Sequence, residues 1–266
     1  MRVDASQPPG EGAAVEILYR DADCVAVYKP AHMTVHRSGL YWETPPYALQ
    51  TLRDQLGVYV QPIHRLDRPT CGVLLFAFNQ VAAGQLMGAF ARRLVHKTYI
   101  AVVRGYATDG GTDRPLLVDE VLKPASTRWR CLHRVQLPFG IGKFPTTRYS
   151  LVAAWPHTGR RHQIRRHLHG VNHPIVGDHD HGDNKHNHLW EEKFGIHRLH
   201  LVAHRLVFPR PSDGAMVVVE APPDPELSVL WARLGWAWPQ GDLDQGHSQW
   251  PAPDADAPIP QRVEDE

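Results

Sequence analysis

The sequence predicts an α+β domain. Strand-like and helix-like segments mix without regular βαβ alternation. Residues 72–78 (GVLLFAF) form the short, continuous apolar run of a buried strand. No segment repeats internally. With 266 residues, 42% hydrophobic and 21% charged, the chain can bury a core without staples and is not disordered as a whole. Three scattered cysteines, Cys24, Cys71 and Cys131, make neither a disulfide framework nor a paired zinc ribbon, so a reducing, cytoplasmic setting is expected. The start, MRVDASQPPGEGAA, has no apolar run of a signal peptide, and no stretch is apolar enough to span a membrane.

The elements follow in order. Residues 1–14 read as a disordered leader, 15–238 as the catalytic domain and 239–266 as an acidic, Pro-rich disordered tail. VEILY (15–19) and CVAVYK (24–29) are β-rich runs joined by a polar turn, a hairpin signal, and Pro30 ends the second. Residues 46–56 can form a helix after Pro45 or Pro46. Asn79 is an N-cap for a helix reaching Arg93, with apolar residues at 82, 86, 87 and 90. Thr98–Arg104 is a strand stopped by Gly105. Residues 105–145 are weakly patterned and Gly/Pro-punctuated, an insertion with short strands. Thr146–Trp155 is a strand, 160–169 an Arg/His-rich helix and 171–197 a long functional loop. Leu199–Phe208 and Met216–Glu220 are strands, and 224–236 a last helix.

Charge is uneven. Residues 237–266 hold seven acids and one base, so residues 1–236 carry 28 Lys+Arg against 21 Asp+Glu. A basic body suits a polyanion ligand and also many proteins that never touch one.

Four segments can carry chemistry. In Ile63–Gly72, Asp67 stands between arginines on a loop entering the buried strand, an ionised carboxylate suited to a nucleophile or electrostatic stabiliser. The competing reading is a structural ion pair with Arg65 or Arg68. In Thr158–His167, arginines 160, 161, 165 and 166 crowd one predicted helix, with Arg161 and Arg165 on one face at i,i+4. That face can contact phosphates or hold a carboxylate, or be a solvated basic surface. Twelve of 18 histidines lie between His157 and His204, yet their spacing matches no HExxH-like motif. No metal site is assigned to them. Tyr99, in Lys97-Thr-Tyr99, can stack on a base or move a proton, or simply be a core tyrosine.

Taken together and in this order, these segments resemble the RluA-type pseudouridine synthases. The resemblance rests on His64-Arg-Leu-Asp-Arg-Pro-Thr-Cys-Gly72, Lys97-Thr-Tyr99, Gly159-Arg-Arg-His-Gln-Ile-Arg-Arg-His167, His173–Asp178 and Arg198-Leu-His-Leu201, covering about residues 15–220. Two positions depart from it: Cys71 stands where the family usually has Ser, and Val202 where it usually has His. Val35-His-Arg37 after Lys29-Pro30, Phe144–Tyr149, Arg165-Arg-His167 and His181-Gly-Asp183 with Asn187 resemble the group that modifies uridine 65 in the T stem of tRNA. As in that group, no small N-terminal RNA-binding domain is expected.

The resemblance implies a mixed, largely antiparallel sheet with flanking helices and a central catalytic cleft. It implies Asp67 as the catalytic carboxylate, Arg165 as its pairing arginine and Tyr99 against a flipped uracil. It also implies Leu201 as an apolar wall and Arg65 filling the vacated stack, with His64, Arg160, Arg161 and Arg166 among the RNA-binding residues. No cofactor and no metal are implied, because the isomerisation exchanges no group or electron. The partner is tRNA, no protein partner is evident, and a monomer is expected. The alternatives are a synthase for another RNA such as ribosomal RNA, a histidine-rich metal hydrolase, and a non-catalytic RNA-binding module. The presence of Asp67, Tyr99, Arg165 and Leu201 together favours the enzyme.

Overall fold

A computed structural model describes residues 14–37, 46–240 and 243. The predicted leader and tail lie outside the described residues, apart from 14, 239, 240 and 243. The strands are β1 (Glu16–Arg20), β2 (Cys24–Lys29), β3 (Gln61–Pro62), β4 (Cys71–Ala77), β5 (His96–Arg104), β6 (Gly110–Thr112), β7 (Leu116–Val118), β8 (Val121–Lys123), β9 (Thr127–Leu137), β10 (Thr147–Pro156), β11 (Leu201–Pro209) and β12 (Met216–Glu220). The helices are α1 (Ala48–Leu56), α2 (Gln80–Ala91), α3 (Gln163–Gly170), α4 (Asn184–Phe194) and α5 (Pro225–Arg233). The α+β class is borne out. One large sheet runs β1-β2-β4-β11-β5-β10-β9-β6, with β12 beside β11 and β3 beside β4. Its pairs are antiparallel except β4 with β11. Among the described residues no helix is long and apolar enough to cross a membrane.

The central strands are covered on both faces, which is why β4 is apolar throughout rather than alternating. Successive side chains point to opposite faces. Val73, Leu75 and Ala77 join a core with Leu86 of α2, Trp190 of α4 and Trp231 of α5. Leu74 and Phe76 face the other way, against Leu52 of α1. On that second face Ala101 and Val103 of β5 pack with Ile164 and Leu168 of α3. Tyr99 packs against both second-face clusters and so marks the junction between them.

Three sequence readings need correction. β9 is an eleven-residue strand, not a fragment of an insertion, and pairs with β10 along its whole length. Residues 171–197 contain a full helix, α4. Asp183 caps its first turn, accepting from the backbone N–H of Lys185 (3.0 Å) and His186 (3.4 Å), and left-handed Gly195 ends it. The helix predicted from 160 starts at Gln163, because His162 is itself left-handed (φ 55°) and breaks the run. Arg160 and Arg161 therefore sit in a turn before α3, and the i,i+4 pairing of Arg161 with Arg165 does not exist.

Gly72 is the backbone position that lets the 63–70 loop enter the sheet. Its φ is +114°, and a Cβ there would lie 2.2 Å from the carbonyl oxygen of Ala203 on β11. Gly72→Ala is expected to destabilise the fold by about 3 kcal/mol or more, through backbone strain plus a clash that no side chain can relieve. Thermal unfolding checks this, and a melting temperature within about 2 °C of the parent would contradict it.

Candidate active site

Register across three strands assembles the cleft. Gly72 of β4 lies beside Ala203 of β11, which lies beside Tyr99 of β5. Parallel pairing of β4 and β11 brings their entry points to one end, so the loop before β4 delivers Asp67 next to Leu201 at the start of β11. Asp67 sits in a tight turn, its carbonyl accepting from the N–H of Thr70 at 3.0 Å. The resulting cavity, about 390 Å³, is lined by Arg65, Asp67, Lys97, Tyr99, Arg165 and Leu201, with Arg160, Arg161 and His162 also on its wall. That volume suits a single nucleotide.

The structure thus brings together Arg65, Asp67, Tyr99, Arg160, Arg161, Arg165 and Leu201, and leaves His64 and Arg166 outside the lining. The His64 ring stacks on Phe90, with centroids 5.1 Å apart, and its Nε2 accepts from the N–H of Leu75 at 3.2 Å. Burial, with Lys97 adding to it, holds His64 down to a pKa of about 3, so it stays neutral and braces the strand behind the Asp67 loop. Arg166 donates to the carbonyl of Leu117 at 2.9 Å and ties α3 to β7. Neither flanking arginine makes the structural ion pair with Asp67 that competed with the catalytic reading: Arg68 donates instead to the carbonyl of His32.

Asp67 is instead faced by Arg165, whose Nη1 lies 3.5 Å from Oδ2. The Arg165 side chain is only 3% exposed and is fixed by a bidentate grip from the fully buried carboxylate of Asp178. Nε donates to Oδ2 at 2.8 Å and Nη2 to Oδ1 at 2.6 Å, while Asp180 takes a further bond from Nη2 at 2.7 Å. Burial works against both charges, but the pair prevails: Arg165 is raised and Asp178 is held below the usual carboxylate range. Asp178 also accepts from the N–H groups of Asp180 and His181, and Asn187 of α4 clamps the same turn through the N–H of Gly177 and the carbonyl of Asp178. The sequence carries Asp178, His181 and Asn187 as motif letters, but their joint task of holding Arg165 depends on a turn that spacing does not reveal.

Three further residues escaped the sequence reading of the site. His162 stands at the rim, with Nε2 3.9 Å from Asp67 Oδ1 and Nδ1 2.9 Å from His181 Nε2. Its left-handed backbone at a cleft was not visible in residue type. Lys29 is fully buried and donates to the carbonyls of Pro30 (2.7 Å), Met33 (2.8 Å) and Arg68 (3.2 Å), pinning the Asp67 loop to the end of β2. Arg198 donates to Asp224 at 2.9 Å and to the Cys71 sulfur at 2.8 Å. Cys71 therefore fills a hydrogen-bonding position at the strand entrance, as a serine hydroxyl could.

His162, Asp180 and His181 place three donor atoms within 4.8 Å of one another. Those donors are already engaged: the two imidazoles bond each other and Arg165 holds Asp180. Tyr99 keeps its phenol proton well beyond neutral pH, because burial and the Asp67 charge both raise it.

Asp67 faces the buried Arg165 in a nucleotide-sized cleft walled by Tyr99 and Leu201, an arrangement suited to chemistry on a single nucleotide. The chain belongs to the RNA pseudouridylate synthase family, whose model matches residues 23–170, and it is a pseudouridine synthase. It is 43% identical over 235 residues to tRNA pseudouridine synthase C of Vibrio parahaemolyticus, covering 84% of this chain and 96% of that protein. The corresponding Vibrio cholerae protein is 44% identical over 235 residues, with the same coverage. Among solved structures, human RNA Pseudouridylate Synthase Domain Containing 1 superposes with a TM-score of 0.67 at 27% identity, over 93% of this chain and all of that one.

Proposed function

We propose that this enzyme converts uridine 65 in the T stem of tRNA to pseudouridine, with Asp67 as the catalytic carboxylate. The observation that carries the assignment is Asp67 held opposite Arg165 at 3.5 Å inside the cleft. The tRNA named in its 43–44% identical relatives favours tRNA over ribosomal RNA.

The reaction is balanced within one nucleotide. The N1–C1′ bond breaks and its electrons stay on the uracil. The uracil turns, C5 bonds to C1′, the C5 proton leaves and N1 ends protonated. Attack at C1′ and removal of a C2′ proton both need an unprotonated Asp67 oxygen aimed at the sugar, and Arg165 aims it. Tyr99 packs on the flipped base and its neutral phenol moves a proton, while Leu201 walls the other side. Arg65 fills the gap left by flipping, which costs a few kcal/mol. Arg160 and Arg161, freed from α3, reach phosphates from their turn. Arg166 remains near them through its tie to β7. No cofactor enters this scheme. Residues 15–238 act as the catalytic domain, as a monomer, in the cytoplasm where tRNA resides.

Carbodiimide labelling and mass spectrometry of unmodified bulk tRNA treated with the enzyme tests the proposal. A single new pseudouridine at position 65 supports it. Pseudouridine only in ribosomal RNA, or at another tRNA position, replaces the substrate.

Lys97 gives the reaction a pH signature. Its ammonium donates to the Thr158 carbonyl at 3.0 Å, and burial together with the nearby Arg160 lowers its pKa from the ordinary lysine value to about 8. The charge is present below that pH and lost above it. Lys97 also lines the cleft and in this scheme engages an RNA phosphate, so the KM for tRNA is expected to rise roughly 10-fold from pH 7 to pH 9 as that charged contact is lost. Lys97→Arg, which stays charged, is expected to flatten that rise. Initial rates across this range decide it: equal profiles for both proteins would assign the titration elsewhere.

A further inference from the structure

A second surface lies at the opposite end of β5 and β10 from the cleft. A groove of about 800 Å³ opens there, lined by Lys143, Phe144, Arg148 and Lys185, with Arg104 at its edge. Arg104 is neutralised by Asp183. Among the described residues no carboxylate lies within ion-pair distance of Arg134, Lys143, Arg148 or Lys185. Two aromatic rings stand among these cations. Phe144 is 62% exposed, with the Lys143 ammonium 5.5 Å from its centroid. Tyr106 is 38% exposed, with Arg148 at 5.2 Å and Arg134 at 5.8 Å.

This patch is built rather than frayed. Ile141 and Phe144 exchange both backbone hydrogen bonds, at 3.0 and 3.2 Å, so an ordered turn presents the ring to solvent. Lys185 stands in the first turn of α4, where the helix dipole opposes a cation and rewards a docked anion. Arg134 donates to the Ala107 carbonyl and Arg148 to the Gln136 side chain, so both are held in place without being neutralised, and such cations interleaved with exposed rings are the chemistry that takes phosphates and bases together. The distance also fits. Tyr99 to Arg104 spans five strand residues, about 17 Å, and Pro156 to Arg148 eight, about 26 Å. Both lie well inside the roughly 16 base pairs of A-form RNA that one small protein domain can span.

We infer that this ledge is a second RNA-contacting surface, which grips the phosphate backbone of the same substrate away from the isomerised uridine. The inference rests on the proposed reading of the cleft as a tRNA-modifying site. The cations hold backbone phosphates, and Phe144 and Tyr106 offer faces to a base or ribose.

The test compares wild type, the triple variant Lys143→Gln, Arg148→Gln, Lys185→Gln, and Phe144→Ala. A control replaces three cations elsewhere, Arg20, Arg210 and Arg233, by Gln. Filter binding of unmodified tRNA across a salt series reads the ledge without turnover, and kcat at saturating tRNA reads the cleft. The triple variant is expected to raise Kd at least 10-fold and to flatten the salt slope by about one per lost contact, with kcat unchanged. Phe144→Ala is expected to raise Kd roughly 5-fold with the slope intact, because stacking carries no net charge. An unchanged Kd and slope in the triple variant overturns the ledge, and so does an equal loss in the control, which would mean long-range charge alone. Absence of pseudouridine from wild type is a separate result: it removes the reading of the cleft while the binding series still judges the ledge.

Discussion

Asp67→Asn is expected to abolish pseudouridine formation, lowering the single-turnover rate by at least about 10⁴-fold, while tRNA affinity stays within about 3-fold of wild type. Asparagine matches the aspartate in size and can still fill the turn closed by the Thr70 N–H, but it carries no negative charge for the sugar carbon. The fold has little reason to respond. Arg165 keeps its grip on Asp178 and Asp180, so removing the Asp67 charge does not orphan the guanidinium. Loss of product with retained binding and an unchanged melting temperature isolates the chemical step. Residual activity within 10-fold of wild type would take the carboxylate role away from Asp67.

Asp178→Ala is expected to cost about 3–5 kcal/mol of stability, because it leaves the Arg165 guanidinium buried without its bidentate partner. For a chain of this size that is a fall in melting temperature of roughly 6–20 °C. Activity falls as well in whatever fraction folds, since Arg165 then has no fixed direction from which to hold Asp67. Asp178→Asn separates the two effects. It keeps a side-chain oxygen for the N–H groups of Asp180 and His181 but gives up the charge, so its melting temperature is expected between the two, with kcat reduced and KM for tRNA little changed. That split marks a positioning residue acting through Arg165. A melting temperature for Asp178→Ala within about 2 °C of wild type would contradict the buried-pair account.

Legibility followed the physical range of each signal. The buried strand at 71–77, the Asn79 cap that accepts from the Ala82 N–H, and the strand over 96–104 depend on neighbours a few residues apart, so they were readable. Helix α4 was equally local: Asp183 and Gly195 bracket it, but the polar, histidine-rich run NKHNHLWEEKF obscured a buried face of Asn187, Leu189 and Trp190. Strand β9 was hidden by its position toward the sheet edge, where arginines alternate with half-buried residues and no continuous apolar run forms. The start of α3 was misplaced because a left-handed histidine gives no compositional warning.

By itself the sequence determined the α+β class, most of the strands and helices, and the residue types that reach the cleft: Asp67, Tyr99, Arg165 and Leu201. The family resemblance pointed to Arg165 as the partner of Asp67, but only the tertiary structure decided how a guanidinium so far along the chain is held there while the flanking arginines are not. Arg65 and Arg68 are its nearest basic neighbours in the chain, yet the group within 3.5 Å comes from 98 residues away. The physical reason is that chain neighbours in a turn diverge, whereas the fixed direction of Arg165 comes from packing α3 against the sheet and closing the 177–181 turn on its guanidinium. Charge complementarity was written in composition; its direction was set by burial.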